Sequence, residues 1–367
     1  MPRSVVGKPF RGGRYGYRDR VPYPPLPYAP VAPLPQALQV EVTSACNLRC
    51  AMCLVAYRPP VNKITGAMPL SMLQGLVDEL PELRELTLQG LGEPLLSPHL
   101  MQMVRYAKER GIRVGFNSNA TLLTGRRSRE LVEVGLDWLH TSLDGADRAT
   151  FEGIRVGASF NEVLRNLSGL AAAKRAAGAD RPQLRVVFVA MRRNVAQLPD
   201  LVALLAGIGV DDLRVQNLSH SFADTDPAGA YQEIRTYAEG EALWQGEDRE
   251  AAATAFAAAR AAAAKYGVAL RLPSLDPPPA DHAPRNRRDG GHPGCTWPWD
   301  AAYVTSTGQV QPCCMVMGDD RVSLGSLSRE SFASIWNGPA YQQFRRALHG
   351  TRPPKVCEGC ALYRGTF

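Results

Sequence analysis

Residues 38–53 read LQVEVTSACNLRCAMC, and the interpretation of the whole chain starts from this stretch. Its first part alternates apolar and polar residues, which predicts a short β-strand at Leu38–Thr43. Three cysteines follow with the spacing C-x3-C-x2-C, at Cys46, Cys50 and Cys53. Three thiolates on one short loop can ligate three irons of a [4Fe–4S] cubane and leave the fourth iron open to another ligand. A zinc knuckle and three buried cysteines are the alternative interpretations.

Beyond this stretch, strand-like runs alternate with helical runs. The predicted strands are Leu38–Thr43, Glu85–Gln89, Arg113–Asn117, Trp138–Ser142, Leu184–Ala190 and Asp212–Asn217. The predicted helices between them lie near residues 70–79, 98–110, 124–135, 160–177 and 195–207. Such alternation produces a parallel sheet with helices outside, and sheets of this kind curl into full or partial barrels. The predicted fold class is therefore α/β, a partial (β/α)6 TIM-like barrel with a small C-terminal domain.

Composition divides the chain into four segments. Residues 1–36 form a basic Pro/Tyr-rich arm, residues 37–228 the barrel core, residues 229–294 a helix and Pro/Gly-rich linker, and residues 295–367 a small cysteine-containing domain. The net charge is +7, but aromatic residues make up only 7%, so a solvated arm is favoured over a nucleic-acid partner. No apolar run approaches the roughly 20 residues of a membrane span, and no secretory signal follows the basic start. We expect a cytoplasmic protein with no membrane partner.

A second group of cysteines lies in the last segment. With the spacing C-x17-C-x43-C-x2-C, its members are Cys295, Cys313, Cys357 and Cys360. One cysteine before a predicted hairpin, one after it and a close pair can ligate a complete [4Fe–4S] cluster. A zinc site with four cysteine ligands fits the same spacing, whereas a reducing cytosol disfavours a disulfide. Cys314 could replace Cys313 as a ligand, although the distance from the turn at Gly308 favours Cys313.

Polar motifs follow the next three predicted strands. They are, in chain order, Gly92-Glu93-Pro94, Asn117-Ser118-Asn119 and Ser142-Leu143-Asp144-Gly145. Together with the cysteine spacing after the first strand, they resemble the motifs of the radical S-adenosylmethionine (SAM) superfamily over roughly residues 36–220. Two positions depart from the family pattern, because Leu91 stands where a glycine is usual and Met52 where an aromatic residue is common.

The resemblance implies which cofactors are bound and where. The first three cysteines would hold a [4Fe–4S] cluster that binds SAM, and the later four resemble a twitch or SPASM domain that holds an auxiliary [4Fe–4S] cluster. The residues expected to contact SAM are Gly92, Glu93, Ser118, Asn119, Ser142 and Arg155. Arg155 is expected to neutralise the SAM carboxylate through its fork of donors.

The resemblance also implies radical chemistry. A 5′-deoxyadenosyl radical removes a hydrogen atom from the substrate, and the auxiliary cluster accepts the electron that is left. We expect a dehydrogenase-type oxidoreductase that acts on a small polar molecule, such as a sugar or aminocyclitol of specialised metabolism, with a reductase or flavodoxin-type electron donor. The candidate catalytic bases are Asp144, His220 and Asp300.

Two other functions stay open at this point. One is a peptide-modifying enzyme that makes a crosslink, an epimer or a decarboxylated residue. The other is a non-catalytic iron–sulfur electron carrier. Many peptide-modifying members of the family begin with a peptide-recognition domain, and the 36 residues before the first strand are too few for one, so we expect the small-molecule substrate.

Overall fold

One ten-stranded sheet is the centre of the molecule. The computed structural model describes residues 29–57, 66–218, 229, 231–243, 246–275, 295–316, 321–350, 353–358, 360 and 363. The strands are β1 (Ala37–Val40), β2 (Glu85–Thr87), β3 (Arg113–Ser118), β4 (Trp138–Ser142), β5 (Gln183–Ala190), β6 (Asp212–Asn217), β7 (Ala269–Arg271), β8 (Ala301–Val304), β9 (Gln309–Gln311) and β10 (Gly325–Ser326). Their order across the sheet is β10-β9-β8-β1-β2-β3-β4-β5-β6-β7. Strands β1 to β8 all run parallel to one another. At one edge of the sheet, β9 runs antiparallel to β8, and β10 runs antiparallel to β9.

Helices follow most of the strands. They are α1 (Leu54–Tyr57), α2 (Leu70–Asp78), α3 (Leu100–Glu109), α4 (Gly125–Glu133), α5 (Arg148–Ile154), α6 (Phe160–Ala176), α7 (Leu198–Ile208), α8 (Gln232–Glu241), α9 (Gly246–Tyr266), α10 (Trp297–Asp300), α11 (Phe332–Trp336), α12 (Pro339–His349) and α13 (Lys355–Glu358). Side-chain oxygens of Thr124, Asp147 and Ser159 accept hydrogen bonds from backbone N–H groups in the first turns of α4, α5 and α6. Each cap satisfies a donor that the helix itself leaves unpaired.

Burial alternates along β5 and places one of its two faces in the main core. In β5 every second residue from Leu184 to Ala190 is buried in the main core, which also holds the buried residues of α7 and α9. The residues between them, such as Arg185 and Val187, are partly buried and lie on the opposite side of the sheet. His140 of β4 pairs in register with Arg185, so it faces the same side. The core therefore lies between the sheet and the helices.

The architecture confirms the predicted α/β class and the partial barrel. Among the described strands, β7 and β10 are the two edges of the sheet, and they do not pair with each other. Two features differ from the prediction. β7 lies within residues 229–294, which were expected to be helix and linker, and it pairs with β6. The hairpin β8–β9 also continues the barrel sheet, since Ala37 of β1 pairs with Ala301 of β8.

The end of the N-terminal arm packs against the C-terminal domain. Trp336 donates its ring N–H to the carbonyl oxygen of Pro33 at 2.8 Å, and Trp299 donates to that of Ala29 at 2.9 Å. The side chain of Asn337 both donates to and accepts from the backbone of Ala32, at 3.0 Å each. Residues 1–28 of the predicted arm and residues 276–294 of the predicted linker lie outside the described residues. Within the described ranges, we find no helix with the length and hydropathy that a bilayer crossing needs.

Candidate iron–sulfur and SAM site

The cysteine loop follows β1 at the carboxyl end of the sheet. Its backbone is fixed on two sides, because the N–H of Glu93 donates to the carbonyl of Ala45 at 2.8 Å and the N–H of Arg49 donates to that of Val156 at 3.0 Å. Cys50 is buried, and Cys46 and Cys53 are partly exposed. Burial raises the pKa of Cys53 to about 11, and the neighbouring thiols add to the increase. Each thiol must lose its proton to bind iron, and three thiols on one loop match the three cysteine ligands of a cubane with one open iron.

Gly92 lies directly against this loop. A Cβ at this position would overlap the carbonyl oxygen of Thr43 and lie 2.5 Å from that of Ala45. Both contacts are with backbone atoms, so a side chain here would displace the cysteine loop itself. The predicted motif therefore supports the cluster loop through close backbone packing.

Glu93 joins two of the predicted motifs. Its carboxylate, 2% exposed, accepts the hydroxyl of Ser118 at 2.8 Å and the backbone N–H groups of Asn119 at 2.7 Å and Leu95 at 3.1 Å. Burial raises the pKa of Glu93, while the two backbone N–H groups act in the opposite direction. Three residues expected to contact SAM thus hold one another in place, and their contact with SAM stays a prediction.

The Asn119 side chain connects these motifs to the cysteine loop. Its amide nitrogen donates to the side-chain oxygen of Asn47 at 2.9 Å and lies 4.0 Å from the sulfur of Cys46. The next residue, Ala120, has a φ of 61°, the left-handed region in which glycine is at ease and alanine is strained. The loop geometry is therefore imposed by its surroundings.

Arg155 lies between a carboxylate and a ligand sulfur. Its Nε donates to Asp144 at 2.5 Å and its Nη1 donates to the sulfur of Cys50 at 3.6 Å. Asp144 is 0% exposed, and its second oxygen accepts the backbone N–H of Val189 at 2.7 Å. Both carboxylate oxygens are occupied, so we propose that Asp144 orients Arg155 instead of accepting a proton from substrate. The contact of Arg155 with the SAM carboxylate stays a prediction.

The other candidate residues are His220, Asp300 and Ser142. His220 lies outside the described residues. Asp300 ends α10, where its charge contributes to raising the pKa of the Cys295 thiol, so it belongs to the second cysteine site. Ser142 ends β4 and is partly buried. A common catalytic role for these residues is therefore untested.

The four later cysteines line one cavity in the C-terminal domain. Cys295, Cys313, Cys357 and Cys360 share its wall with apolar side chains, among them Pro298, Phe344 and Leu348, while Cys314 is not part of the wall. Burial raises the pKa of Cys295 to about 12 and also raises that of Cys313. A mainly apolar cavity whose wall includes four cysteines has the ligand types and number that a thiolate-ligated cubane needs. No three His, Cys, Asp or Glu side chains in the described ranges lie close enough to hold a single metal ion.

Glu41 was not singled out from the sequence, yet it links the two domains. Its Oε2 accepts the backbone N–H of Leu91 at 2.8 Å and the hydroxyl of Tyr303 in β8 at 3.0 Å, and its Oε1 accepts the hydroxyl of Ser306 at 2.9 Å. One feature of the sequence marks this residue, because a carboxylate stands between two valines directly after the buried strand β1. This carboxylate fixes the loop that precedes Gly92.

Comparisons with known proteins agree with this geometry. The profile of the radical SAM superfamily matches residues 40–180, and that of the SPASM iron–sulfur cluster-binding domain matches residues 295–361. The tungsten-containing aldehyde ferredoxin oxidoreductase cofactor-modifying protein of Pyrococcus furiosus is 34% identical over 188 residues, which cover 49% of this chain and 51% of that protein. The mycofactocin maturase MftC of Mycobacterium tuberculosis is 31% identical over 193 residues, which cover 52% of this chain and 47% of MftC. These matches span about half of each relative.

Among solved structures, SuiB of Streptococcus suis bound to S-adenosylmethionine has a TM-score of 0.65 at 17% identity, and the match covers 90% of this chain and 71% of SuiB. The same protein bound to its precursor peptide SuiA gives a TM-score of 0.61 at 15% identity, covering 90% of this chain and 70% of SuiB. At these identities the likeness concerns the fold.

The fold and the two cysteine sites define an iron–sulfur enzyme built on a partial β/α barrel. The chain belongs to the radical SAM superfamily and carries a C-terminal SPASM domain. Its cofactors are S-adenosylmethionine and a [4Fe–4S] cluster in the barrel, together with the iron–sulfur cluster that the SPASM domain binds. We propose the cluster ligands to be Cys46, Cys50 and Cys53 in the barrel, and Cys295, Cys313, Cys357 and Cys360 in the SPASM domain.

Proposed function

We propose that this chain is a peptide-modifying radical SAM enzyme. When bound, SAM and its cluster supply an organic radical that abstracts a hydrogen atom from an unactivated carbon. The observation that carries the peptide proposal is that, among the described strands, the edge strands β7 and β10 do not pair and so leave the sheet unclosed. A closed eight-stranded barrel is filled by its own side chains, whereas an open-sided sheet leaves space for an extended substrate beside the carboxyl ends of its strands.

The names of similar proteins support the same substrate class. MftC is named as a maturase. SuiB has been solved with its precursor peptide, and the structural match to SuiB covers 90% of this chain. The comparisons therefore favour a peptide over the small sugar-like substrate expected from the sequence.

The chain's own residues would shield and orient the reacting groups. Tyr231 and Ile234 pack on Leu54 beside the cysteine loop and on Leu91 beside Gly92, so the start of α8 covers the site. The end of α8 is fixed to the loop after β5, where the backbone N–H of Arg192 donates to the carbonyl of Glu241 at 3.0 Å. An apolar cover limits access of water to a reactive radical.

A small-molecule oxidoreductase is the second candidate. The chain has eight cysteines, three in the first loop and five in the second group, which provides thiolates for a single auxiliary cubane. A cluster whose irons are all bound by cysteines has no open site for substrate. It could instead accept the one electron that hydrogen abstraction leaves on the substrate. A reductase or flavodoxin-type electron donor and a cytoplasmic location are part of both proposals.

The test uses anaerobically reconstituted full-length enzyme with SAM and dithionite. Synthetic peptides encoded by short reading frames beside the gene, and a panel of sugars and aminocyclitols, are offered in parallel. The matched control is the Cys46→Ala, Cys50→Ala, Cys53→Ala variant. We expect a change in peptide mass that accompanies 5′-deoxyadenosine formation and is lost in the control.

Two results contradict the proposal. Oxidation of a sugar or aminocyclitol, with every peptide unchanged, favours the second candidate. Absence of 5′-deoxyadenosine from enzyme with a full iron content, with every substrate tested, contradicts both functions and supports an electron carrier.

A further inference from the structure

Arg345 of α12 is a buried cation without a carboxylate partner among the described residues. Its side chain is 0% exposed. The guanidinium lies 4.5 Å from the ring centre of Trp336 and 4.9 Å from that of Tyr341. Aromatic faces attract a cation but carry no net charge.

The hydrogen bonds of Arg345 also end on neutral groups. Its Nε donates to the carbonyl of Pro298 at 2.8 Å, and its Nη1 donates to the carbonyl of Pro30 at 2.9 Å and to the side-chain oxygen of Asn337 at 3.2 Å. Its Nη2 is buried and has no hydrogen-bond partner within the part of the chain that the structure describes. A positive charge removed from water without an anion nearby is costly, so the fold retains it where a negative group is to be bound.

The second cysteine site is the nearby place for a negative group. Pro298, whose carbonyl accepts from Arg345, is part of the cavity wall. Phe344 and Leu348, on the same helix as Arg345, are also part of it. Arg345 is not itself part of the wall, but it is hydrogen-bonded to one wall residue and lies on the helix that supplies two others.

We propose that Arg345 offsets the negative charge of a thiolate-ligated [4Fe–4S] cluster in this cavity and raises its reduction potential. One-electron reduction adds a negative charge to the cluster, and a fixed cation in a medium of low dielectric constant stabilises that reduced form. Arg345 acts as a positioning residue through the field that it creates, without touching the iron. The inference rests on the proposed auxiliary ligands and is independent of the peptide substrate.

The experiment isolates the auxiliary cluster in the full-length chain. The background is the Cys46→Ala, Cys50→Ala, Cys53→Ala variant, so that only the second site binds a cubane. Arg345→Gln and Arg345→Met remove the charge, and Arg345→Lys keeps it. The matched control is Arg346→Gln, which removes an exposed arginine from the next position of the same helix. Iron and sulfide per chain are measured first, followed by an anaerobic redox titration monitored by electron paramagnetic resonance.

We expect the neutral variants to make reduction about tenfold less favourable, a downward shift of ~59 mV for a one-electron couple. Arg345→Lys and Arg346→Gln should stay near the parent potential. If the neutral variants fail to bind a cluster while Arg345→Lys binds one at the parent potential, the charge is needed for the cluster itself, which also supports the proposal.

Two outcomes overturn the proposal. One is an unchanged potential in a neutral variant with normal cluster content. The other is the loss of the cluster from Arg345→Lys together with the neutral variants, because Arg345 then acts only through its packing and hydrogen bonds. No substrate is used, so these outcomes are separate from the fate of the peptide proposal.

Discussion

Gly92 shows how one missing Cβ positions the cysteine loop. Replacing Gly92 by Ala forces a methyl group against the carbonyl of Ala45. We expect Gly92→Ala to destabilise the protein by about 1–3 kcal/mol and to lower the iron content of the first site. The control is Gly75→Ala in α2, where nothing lies within 4 Å of the new Cβ. It should stabilise the helix by roughly 0.5–1 kcal/mol. Urea unfolding and iron analysis of both variants measure the difference, and a Gly92→Ala protein with normal iron and stability contradicts the packing argument.

The pair of Arg155 and Asp144 offers a second test at the residue scale. Arg155→Gln leaves the buried Asp144 without its cation, and the expected loss is about 3–5 kcal/mol in the free energy of unfolding. The double variant Asp144→Asn, Arg155→Gln should lose less than the sum of the single changes, because the unpaired charge is gone. Arg148→Gln, which removes an exposed i,i+4 pair with Glu152, is the control and should cost less than about 1 kcal/mol. Strict additivity in the cycle would contradict a coupled pair.

His140 makes stability depend on pH. Burial, followed by the charges of Arg185 and Arg214, holds the pKa of His140 well below 6.5, and Asp212 is already paired with Arg185. The folded protein therefore binds fewer protons than the unfolded chain, so stability is present above the unfolded pKa and falls as the pH drops below about 6.5. His140 alone lowers the free energy of unfolding by up to about 1.4 kcal/mol for each pH unit of this drop. His140→Gln should remove this part of the slope in unfolding measurements from pH 7.5 to pH 5.5, and an unchanged slope would rule it out.

At the scale of elements, the docked arm can be tested through Asn337. This side chain satisfies both the N–H and the carbonyl of Ala32. We expect Asn337→Ala to cost about 1–3 kcal/mol, because a backbone segment loses its partners, and to increase proteolysis near residue 32. Gln343→Ala, at an exposed position of α12, is the control. Equal proteolysis of the two variants would show that the arm does not depend on Asn337.

Most elements could be predicted from local pattern, and the exceptions have physical causes. The alternation of β5 and the glycine after α7 at Gly209, in the left-handed conformation, mark their boundaries in the sequence. β7 has only three residues and follows a long helix, so no alternation is visible. The pairing of β8 with β1 joins residues far apart in the chain, and periodicity carries no information about such partners.

The site was predictable in its residue types but less so in its contacts. Spacing identified the cysteines because ligands on one loop must be close in sequence. Spacing could not show that the Glu93 carboxylate accepts hydrogen bonds from Ser118 and Asn119, or that the Asp144 carboxylate accepts one from Arg155. Those partners belong to other strands, loops and helices, and only the folded chain brings them together.

At the scale of the whole molecule, the two cysteine sites should be separable. Replacing Cys357 and Cys360 by Ala removes two of four sulfurs from the second cavity. We expect the iron content to fall by about half, SAM cleavage to continue without substrate turnover, and the product to disappear, because the first site keeps all its ligands. Iron analysis and quantification of 5′-deoxyadenosine and product measure these effects. Full turnover in the double variant would contradict a role of the second site in the reaction.

The pairing of Ala37 with Ala301 also determines when β1 can pair on both of its edges during biosynthesis. As the nascent chain leaves the ribosome, β1 keeps one bare edge until residues 301–304 have been translated, on the order of tens of seconds at ~5–20 residues per second. An unpaired strand edge is a template for aggregation. Polypeptides that end before residue 301 should therefore accumulate as insoluble material in the cell.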